Sequence, residues 1–278
     1  MKLISFTYQG AASYGVLQDE QVLDLGAVFG ERAPDLKSYL AQGLDLAQAA
    51  QAPRRALAQV TLLPVIPNPG QIFCIGLNYA DHVQETGRQS TEHPTIFMRV
   101  PESQVAHGQA IVLPPESDRL DYEGEIAIII GKPGRRIAEA DAAAHIAGYA
   151  CYNDGSIRDW QTATSQWTAG KNFWRTGGFG PWMVTADEIP FGARMTLVTR
   201  LNGQEMQRTT TDLLIHSFAR QISHLSAFTP LAAGDVIVTG TPGGVGAKRQ
   251  PPVFMRAGDV VEIDVDRIGV LRNTVRAE

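Results

Sequence analysis

Short apolar blocks of strand length recur along most of this chain, separated by turn residues. Near the C-terminal end Val261, Ile263 and Val265 interleave with Glu262, Asp264 and Asp266, the signature of a strand buried on one face. Residues 195–201 and 204–209 read as two strands joined by Asn202-Gly203, a dipeptide that accepts the left-handed backbone of a tight hairpin. Ala127-Ile128-Ile129-Ile130 does not alternate. It is continuous, largely β-branched and closed by Gly131, which predicts a buried strand. Further short strands are predicted at 6–8, 14–17, 22–25, 71–76, 95–99, 110–113, 149–152 and 235–239.

Helical spacing is scarcer. Leu36, Leu40, Leu44 and Leu57 fit short helices broken by Gly43 and Pro53. Residues 77–85 read as a loop entering a helix, and 138–147 as a helix stopped by Gly148 at its C′ position. A last helix, capped by Thr211 or Asp212, would carry Leu214, Phe218, Ile222 and Leu225 on one face. Short strands with few full helices between them predict an α+β chain, mainly β, with mixed and largely antiparallel sheets. Three prolines within Pro64-Val65-Ile66-Pro67-Asn68-Pro69 mark a boundary near residue 66. The division is a small N-terminal α+β piece, 1–66, and a larger piece, 67–278.

Charge and cysteine usage narrow the partners. Lys and Arg number 24 against 29 Asp and Glu, a net charge of −5, with no basic cluster. That argues against a nucleic acid or an anionic membrane as partner. No apolar stretch is long enough for a membrane span, and the start at Met1 lacks a signal-peptide pattern. Cys74 and Cys151 sit in apolar runs and suit buried, reduced thiols in a cytoplasmic protein.

The candidate chemistry gathers around the continuous strand. Glu123 and Glu125 precede its apolar run two residues apart, so they point to one face, roughly 6–7 Å apart along the strand. Asp154, in Asn153-Asp154-Gly155 at the end of another predicted strand, would complete an all-oxygen set. Oxygen donors suit Mg²⁺, Mn²⁺ or Ca²⁺ rather than zinc. From the residues alone, a solvent-facing pair of glutamates on an edge strand fits as well. His82 and Glu85 would share a helix face, as a general base oriented by a carboxylate or as an exposed polar face. Arg158 and Lys171 could offset the negative charge for an anionic substrate. Alternatively Arg158 pairs with Asp159 and Lys171 merely lays its stem on apolar surface. The segment Gly240-Thr241-Pro242-Gly243-Gly244-Val245-Gly246 lacks the lysine of a phosphate-binding loop, but its N–H groups and the Thr241 hydroxyl could hold a carboxylate or oxyanion.

These segments, in this order, resemble the fumarylacetoacetate hydrolase family over roughly residues 70–275, in the subgroup with a small N-terminal domain. The matching stretches are Gly-Leu-Asn-Tyr-Ala-Asp-His at 76–82, Asp-Tyr-Glu-Gly-Glu at 121–125, Asn-Asp-Gly-Ser-Ile-Arg-Asp-Trp-Gln at 153–161 and Gly-Lys-Asn-Phe at 170–173. Thr-Gly-Thr-Pro-Gly-Gly-Val-Gly at 239–246 and Pro-Pro-Val-Phe at 251–254 complete the set. The resemblance implies a mixed β-sandwich roll and a homodimer. It also implies Mg²⁺ or Mn²⁺, replaceable by Ca²⁺ in crystals, on Glu123, Glu125 and Asp154. It implies catalytic roles for His82, Glu85 and Lys171, the His–Glu pair lying on a segment that orders as a lid in relatives. Arg158, Gln161 and Thr241 fall on positions near the substrate. Arg99 stands where many relatives carry lysine, and would face a distal substrate carboxylate. The implied activity is hydrolysis of a C–C bond in a β-diketo acid such as an acylpyruvate, without an organic cofactor. Oxaloacetate decarboxylation and isomerisation of an unsaturated keto-acid use the same enolate chemistry. A non-enzymatic ligand-binding role is the remaining alternative.

Overall fold

The computed structural model describes residues 1–89 and 91–278. Its frame is a twisted mixed sheet whose strands run, in spatial order, Arg54–Ala56, Gln21–Asp24, Ala11–Gln18, Lys2–Tyr8, Gly177–Thr185, Ile146–Asn153, Gly124–Ile130, Val236–Val238, Ile72–Gly76 and Thr95–Arg99. A second sheet orders Gln204–Thr210, Thr196–Leu201, Val260–Val265, Gly269–Ala277 and Ile111–Leu113. Most pairings are antiparallel; Val236–Val238 on Ile72–Gly76 and Gly269–Ala277 on Ile111–Leu113 are parallel. The chain is therefore α+β and mainly β, a roll of two packed mixed sheets.

The continuous apolar strand lies inside the large sheet, hydrogen-bonded on both edges, to Ile146–Asn153 and to Val236–Val238. Its two faces feed two cores. Ile126, Ile128 and Ile130 pack among Leu197, Val261, Ile263 and Val265 of the second sheet. Ala127 and Ile129 pack among Val236, Val238, Tyr152 and the N-terminal side chains Leu3, Tyr14 and Leu36. Burial on both sides explains why this strand does not alternate. The alternating strand Val260–Val265 buries Val261, Ile263 and Val265 and keeps its acidic positions nearer to solvent. At the hairpin, Asn202 and Gly203 take φ of 52° and 80°, as a primed turn requires.

The first 66 residues share the large sheet with the rest of the chain, because Lys2 and Leu3 pair with Val184 and Met183 of Gly177–Thr185. Leu36–Gln42 is helical, capped by Asp35, whose side chain accepts the Ser38 N–H at 2.7 Å. Leu57 is not part of a helix of that kind: Arg54–Ala56 pairs with Gln21–Leu23, and Leu57 opens a single 3₁₀ turn. The expected helix at 138–147 is a 3₁₀ segment, Glu139–His145, and Gly148 is not its stop. Gly148 lies within the strand Ile146–Asn153, where a Cβ would stand 2.2 Å from the Val184 carbonyl oxygen. The late helix also starts further on, at Phe218–Phe228 capped by Ser217. Thr211–Leu213 is a separate 3₁₀ turn, and Leu214 follows it outside the helix. Both cysteines are free and buried. Among the described residues no helix is long and apolar enough to cross a membrane.

The position of Gly148 makes a test. A glycine at a helix C′ tolerates alanine at a cost below about 1 kcal/mol, whereas one pressed against a neighbouring strand's backbone does not. Gly148→Ala should lower the free energy of unfolding by about 1–3 kcal/mol in chemical denaturation, as overpacking does.

Candidate active site

The site begins where the central strand meets its neighbour. Gly124 pairs with Asn153, so Glu123 and Asp154 lie side by side just beyond the last rung. Two further bonds fix them: the Asp154 N–H reaches the Glu123 carbonyl at 2.8 Å, and the Glu123 N–H reaches Asn153 Oδ1 at 3.0 Å. Glu125, two residues along, shares the face of Glu123. One oxygen from each of Glu123, Glu125 and Asp154 lies within 4.8 Å of the others. All three are buried and belong to the interior of the sheet, which excludes the solvent-facing edge-strand reading. Gly124 between them has no room for a side chain, since a Cβ would stand 2.0 Å from Thr199 Oγ1.

Buried carboxylates must be compensated. Lys171, at the end of the short helix Thr168–Lys171, places its Nζ 2.5 Å from Glu123 Oε2 and 2.6 Å from Asp154 Oδ2. Arg158 does not pair with Asp159. Its Nε donates to Asp121 Oδ2 at 2.8 Å, and its Nη1 lies 2.7 Å from Glu123 Oε1 and 2.9 Å from Gln161 Oε1. Asp159 instead accepts the Ser117 hydroxyl at 2.7 Å.

Arg99 requires a correction. It does not border the cleft or await a distal carboxylate. Its guanidinium is wholly buried, with Nη1 donating to Asp154 Oδ1 at 2.5 Å and to the Gly155 carbonyl at 2.9 Å. The strand Thr95–Arg99 ends directly behind the acidic cluster, so a long cation there meets Asp154 before it can reach the open side.

These contacts divide the carboxylates electrostatically. Burial alone would raise the Glu123 carboxyl, but Lys171 and Arg158 hold it far below the usual range. Glu125 goes the other way: burial, then the charges of Asp154 and Glu123, push it well above its ordinary value. Lys171 is raised, its burial outweighed by Asp154 and Glu123. Counting Asp121, four carboxylates face three cations, Arg99, Arg158 and Lys171. That leaves one carboxylate in excess, and three buried oxygen donors within 4.8 Å of one another suit a divalent ion of the Mg²⁺ or Mn²⁺ kind.

His82 and Glu85 lie on the helix Ala80–Thr86, facing one another at 2.8 Å between Nδ1 and Oε1. A carboxylate only accepts, so Nδ1 carries the proton and Nε2 is left as the base. His82 lines a cleft of about 730 Å³ together with Glu123, Glu125, Arg158, Gln161, Lys171 and Thr241. Its outer wall holds Arg88, Arg119, Lys248 and Arg256 against Asp118 and Asp159.

The glycine-rich loop is an anion-binding loop, but most of its N–H groups are taken by the protein's own carboxylates. Gly240 N–H reaches Glu125 Oε2 at 2.5 Å, Gly243 reaches Asp81 at 3.1 Å, and Gly244 reaches Glu85 Oε2 at 2.8 Å. Gly246 and Ala247 both donate to Asp121 at 2.8 Å. The Thr241 hydroxyl is tied to the Gly124 carbonyl at 3.0 Å. Gly240 and Gly244 need φ of 111° and 99° to present these donors, a region that favours glycine. The loop therefore joins the helix of His82 and Glu85 to the floor of the acidic site.

Asp121 is the residue that sequence reasoning passed over. It sits at the same two-residue spacing as Glu123 and Glu125, so the signal lay in the extension of that pattern by one step.

The family model for the fumarylacetoacetate (FAA) hydrolase C-terminal domain matches residues 71–276. The chain belongs to the fumarylacetoacetate hydrolase family. A relative described as oxaloacetate tautomerase FAHD2A, mitochondrial, from Bos taurus is 37% identical over 262 residues, covering 91% of this chain and 83% of its own. A solved fumarylacetoacetate hydrolase from psychrophilic Exiguobacterium antarcticum superposes with a TM-score of 0.87 at 34% identity, over 100% of both chains. Maleylpyruvate hydrolase from Sphingobium sp. SYK-6, in complex with manganese (II) ion and pyruvate, superposes with a TM-score of 0.82 at 28% identity. That match covers 100% of this chain and 99% of the other.

Asp121 supplies the test of this family site's scaffold. Asp121→Asn removes one of the two negative partners of Arg158, the other being Glu123, and one acceptor from the loop amides. Breaking a buried pair of this kind costs about 3–5 kcal/mol. Urea denaturation should show that loss, and the Gly246 and Ala247 amides should exchange hydrogen faster than in the parent.

Proposed function

We propose that this protein is a divalent-metal-dependent enzyme that moves a proton beside the keto group of a 2-oxo dicarboxylic acid. It would interconvert keto and enol forms, with oxaloacetate as the first substrate to test. The observation that carries this reading is the occupancy of the loop amides. Hydrolysis of a C–C bond passes through a tetrahedral oxyanion that needs free, preorganised donors. Here the amides of Gly240, Gly243, Gly244, Gly246 and Ala247 already hold Glu125, Asp81, Glu85 and Asp121. Proton transfer asks for less: one base of defined tautomer and stabilisation of charge on one oxygen.

Glu123, Glu125 and Asp154 would hold Mg²⁺ or Mn²⁺, which supplies Lewis-acid stabilisation of negative charge developing on the keto oxygen. His82 Nε2 takes a proton from the adjacent carbon. The electron pair moves into the new C=C bond as the keto oxygen gains charge, and the imidazolium returns the proton to that oxygen. Glu85 fixes the imidazole tautomer and stabilises the imidazolium between the two transfers. Arg158, which lines the cleft beside Glu123, would receive the carboxylate next to the keto group. Gln161 steadies Arg158, and Lys171 holds two of the acidic side chains in position. The four basic residues of the outer wall against two acidic ones favour a second carboxylate at the far end of the substrate. The FAHD2A relative named for oxaloacetate tautomerisation supports this reading. The two free, buried thiols suit a reducing compartment, either the cytoplasm or the organelle named for that relative.

C–C hydrolysis is the second reading, favoured by the presence of the full His82–Glu85 pair and by the likeness to maleylpyruvate hydrolase. One assay separates the two. Oxaloacetate keto–enol conversion, CO₂ release from oxaloacetate, and cleavage of acetylpyruvate and fumarylpyruvate are followed with Mn²⁺ and with EDTA. The expected result is EDTA-sensitive keto–enol conversion, slowed about 10²–10⁴-fold by His82→Ala. Metal-dependent cleavage of a diketo acid without effect on the keto–enol rate would replace this reading with the hydrolase. CO₂ release that survives His82→Ala would replace it with a decarboxylase. A direct check of the metal site is that Glu125→Gln abolishes saturable Mn²⁺ binding in equilibrium dialysis.

A further inference from the structure

Lys171 Nζ bridges Glu123 Oε2 and Asp154 Oδ2, and each carboxylate of the acidic triad also has an oxygen tied to a donor other than Lys171. Glu123 Oε1 meets Arg158 Nη1 at 2.7 Å, Glu125 Oε2 accepts the Gly240 N–H at 2.5 Å, and Asp154 Oδ1 accepts Arg99 Nη1 at 2.5 Å. Arg158 and Gly240 also belong to the cleft and the loop. Arg99 has no such second duty. It is absent from the cleft wall, and its side chain is 0% exposed. Its remaining donors are spent on Gly155, Thr176 Oγ1 at 3.0 Å and Ser103 Oγ at 3.2 Å. Gly177 leaves the space it fills, since a Cβ there would stand 2.7 Å from Arg99 Nη2. The charge of this buried arginine is thus paired, among the described residues, with the back of Asp154.

We infer that Arg99 is a positioning residue that restricts Asp154 to one-oxygen coordination and so makes the site select a small octahedral cation over Ca²⁺. The inference rests on the metal-site reading above and adds to it. For Asp154 to bind an ion through both oxygens, Oδ1 would have to turn away from Arg99 and leave a buried guanidinium unpaired, a costly exchange. Held as it is, Asp154 can offer only Oδ2, the oxygen that already accepts Lys171 Nζ at 2.6 Å and would use its second lone pair for the ion. The same restraint acts on Glu123 and Glu125 through Arg158 and Gly240. Three single-oxygen donors leave half of an octahedron for water and a chelating oxo-acid, which suits Mg²⁺ or Mn²⁺. Ca²⁺ takes six to eight oxygens, often through two-oxygen carboxylates, and finds too few here.

The test compares the full-length protein with Arg99→Met, Arg99→Lys and Asp154→Asn. Mn²⁺ affinity is read from the electron paramagnetic resonance signal of the free ion, and Ca²⁺ affinity by competition. The Met variant should bind Mn²⁺ about 10–100-fold more weakly, the usual effect of losing a group that orients a ligand. Ca²⁺ should lose less, because Asp154 is then free to use both oxygens, and the preference for Mn²⁺ over Ca²⁺ should fall. Arg99→Lys, which keeps one charged donor, should recover part of the Mn²⁺ affinity. A folded Met variant with the parent's affinities and preference would overturn the inference. Should that variant not fold, the parent decides. Its infrared difference spectrum on Mg²⁺ loading should show one-oxygen carboxylates only, and a two-oxygen signature would overturn the inference. Absence of Mn²⁺ binding by the parent would instead overturn the metal site itself. That outcome differs from binding that Asp154→Asn loses and Arg99→Met keeps.

Discussion

The structure turns on carboxylates held inside a sheet where water cannot screen them. Glu123 and Glu125 lie at the start of a strand buried along its whole length and Asp154 at the end of its neighbour, with Asp121 two residues before Glu123. Everything nearby answers that burial: three cations from three separate segments and loop amides aimed at Asp121 and Glu125. Removing any one of these would strip compensation from a charge that water cannot reach, a costly change in a buried network. The fold's precision at this end of the sheet follows from that constraint.

Much of the fold was legible because it rests on local rules. The Asn202-Gly203 hairpin and the alternating strand at 260–265 needed only turn chemistry and a period of two. The errors share one cause. Gly148 looked like a helix stop because glycine often is one, and only the neighbouring strand's Val184 carbonyl shows why the position excludes a side chain. Leu57 fitted a helical spacing that pairing with Gln21–Leu23 overrode. In both cases a tertiary contact outweighed a local preference.

The site divides along the same line. The spacing of Glu123 and Glu125, and of His82 and Glu85, could be read directly because strand and helix periodicities place such pairs on one face. Partners distant in the chain could not. Arg158 had an acidic neighbour in sequence, Asp159, and a stronger pair in space, Asp121 and Glu123. Arg99 is a charge on a strand whose destination depends on which segment closes behind it, and that segment carries Asp154. Charge in a sequence marks capacity for pairing, while the sheet order decides the partner.

The glycine-rich loop shows how one scaffold can serve several reactions on oxo-acids. Amides of this kind are natural oxyanion donors for a hydrolase, yet here five of them hold Glu125, Glu85, Asp81 and Asp121. The acidic triad and the His82–Glu85 pair say where charge is stabilised and where a proton can go. They do not separate proton transfer from bond cleavage, because both develop charge on the same oxygen of the substrate. What separates them is whether a donor is free at a second oxygen, and in this chain Gly243 and Gly244 are drawn to the helix that bears the base. Docking that helix and offering an oxyanion site therefore compete for the same N–H groups.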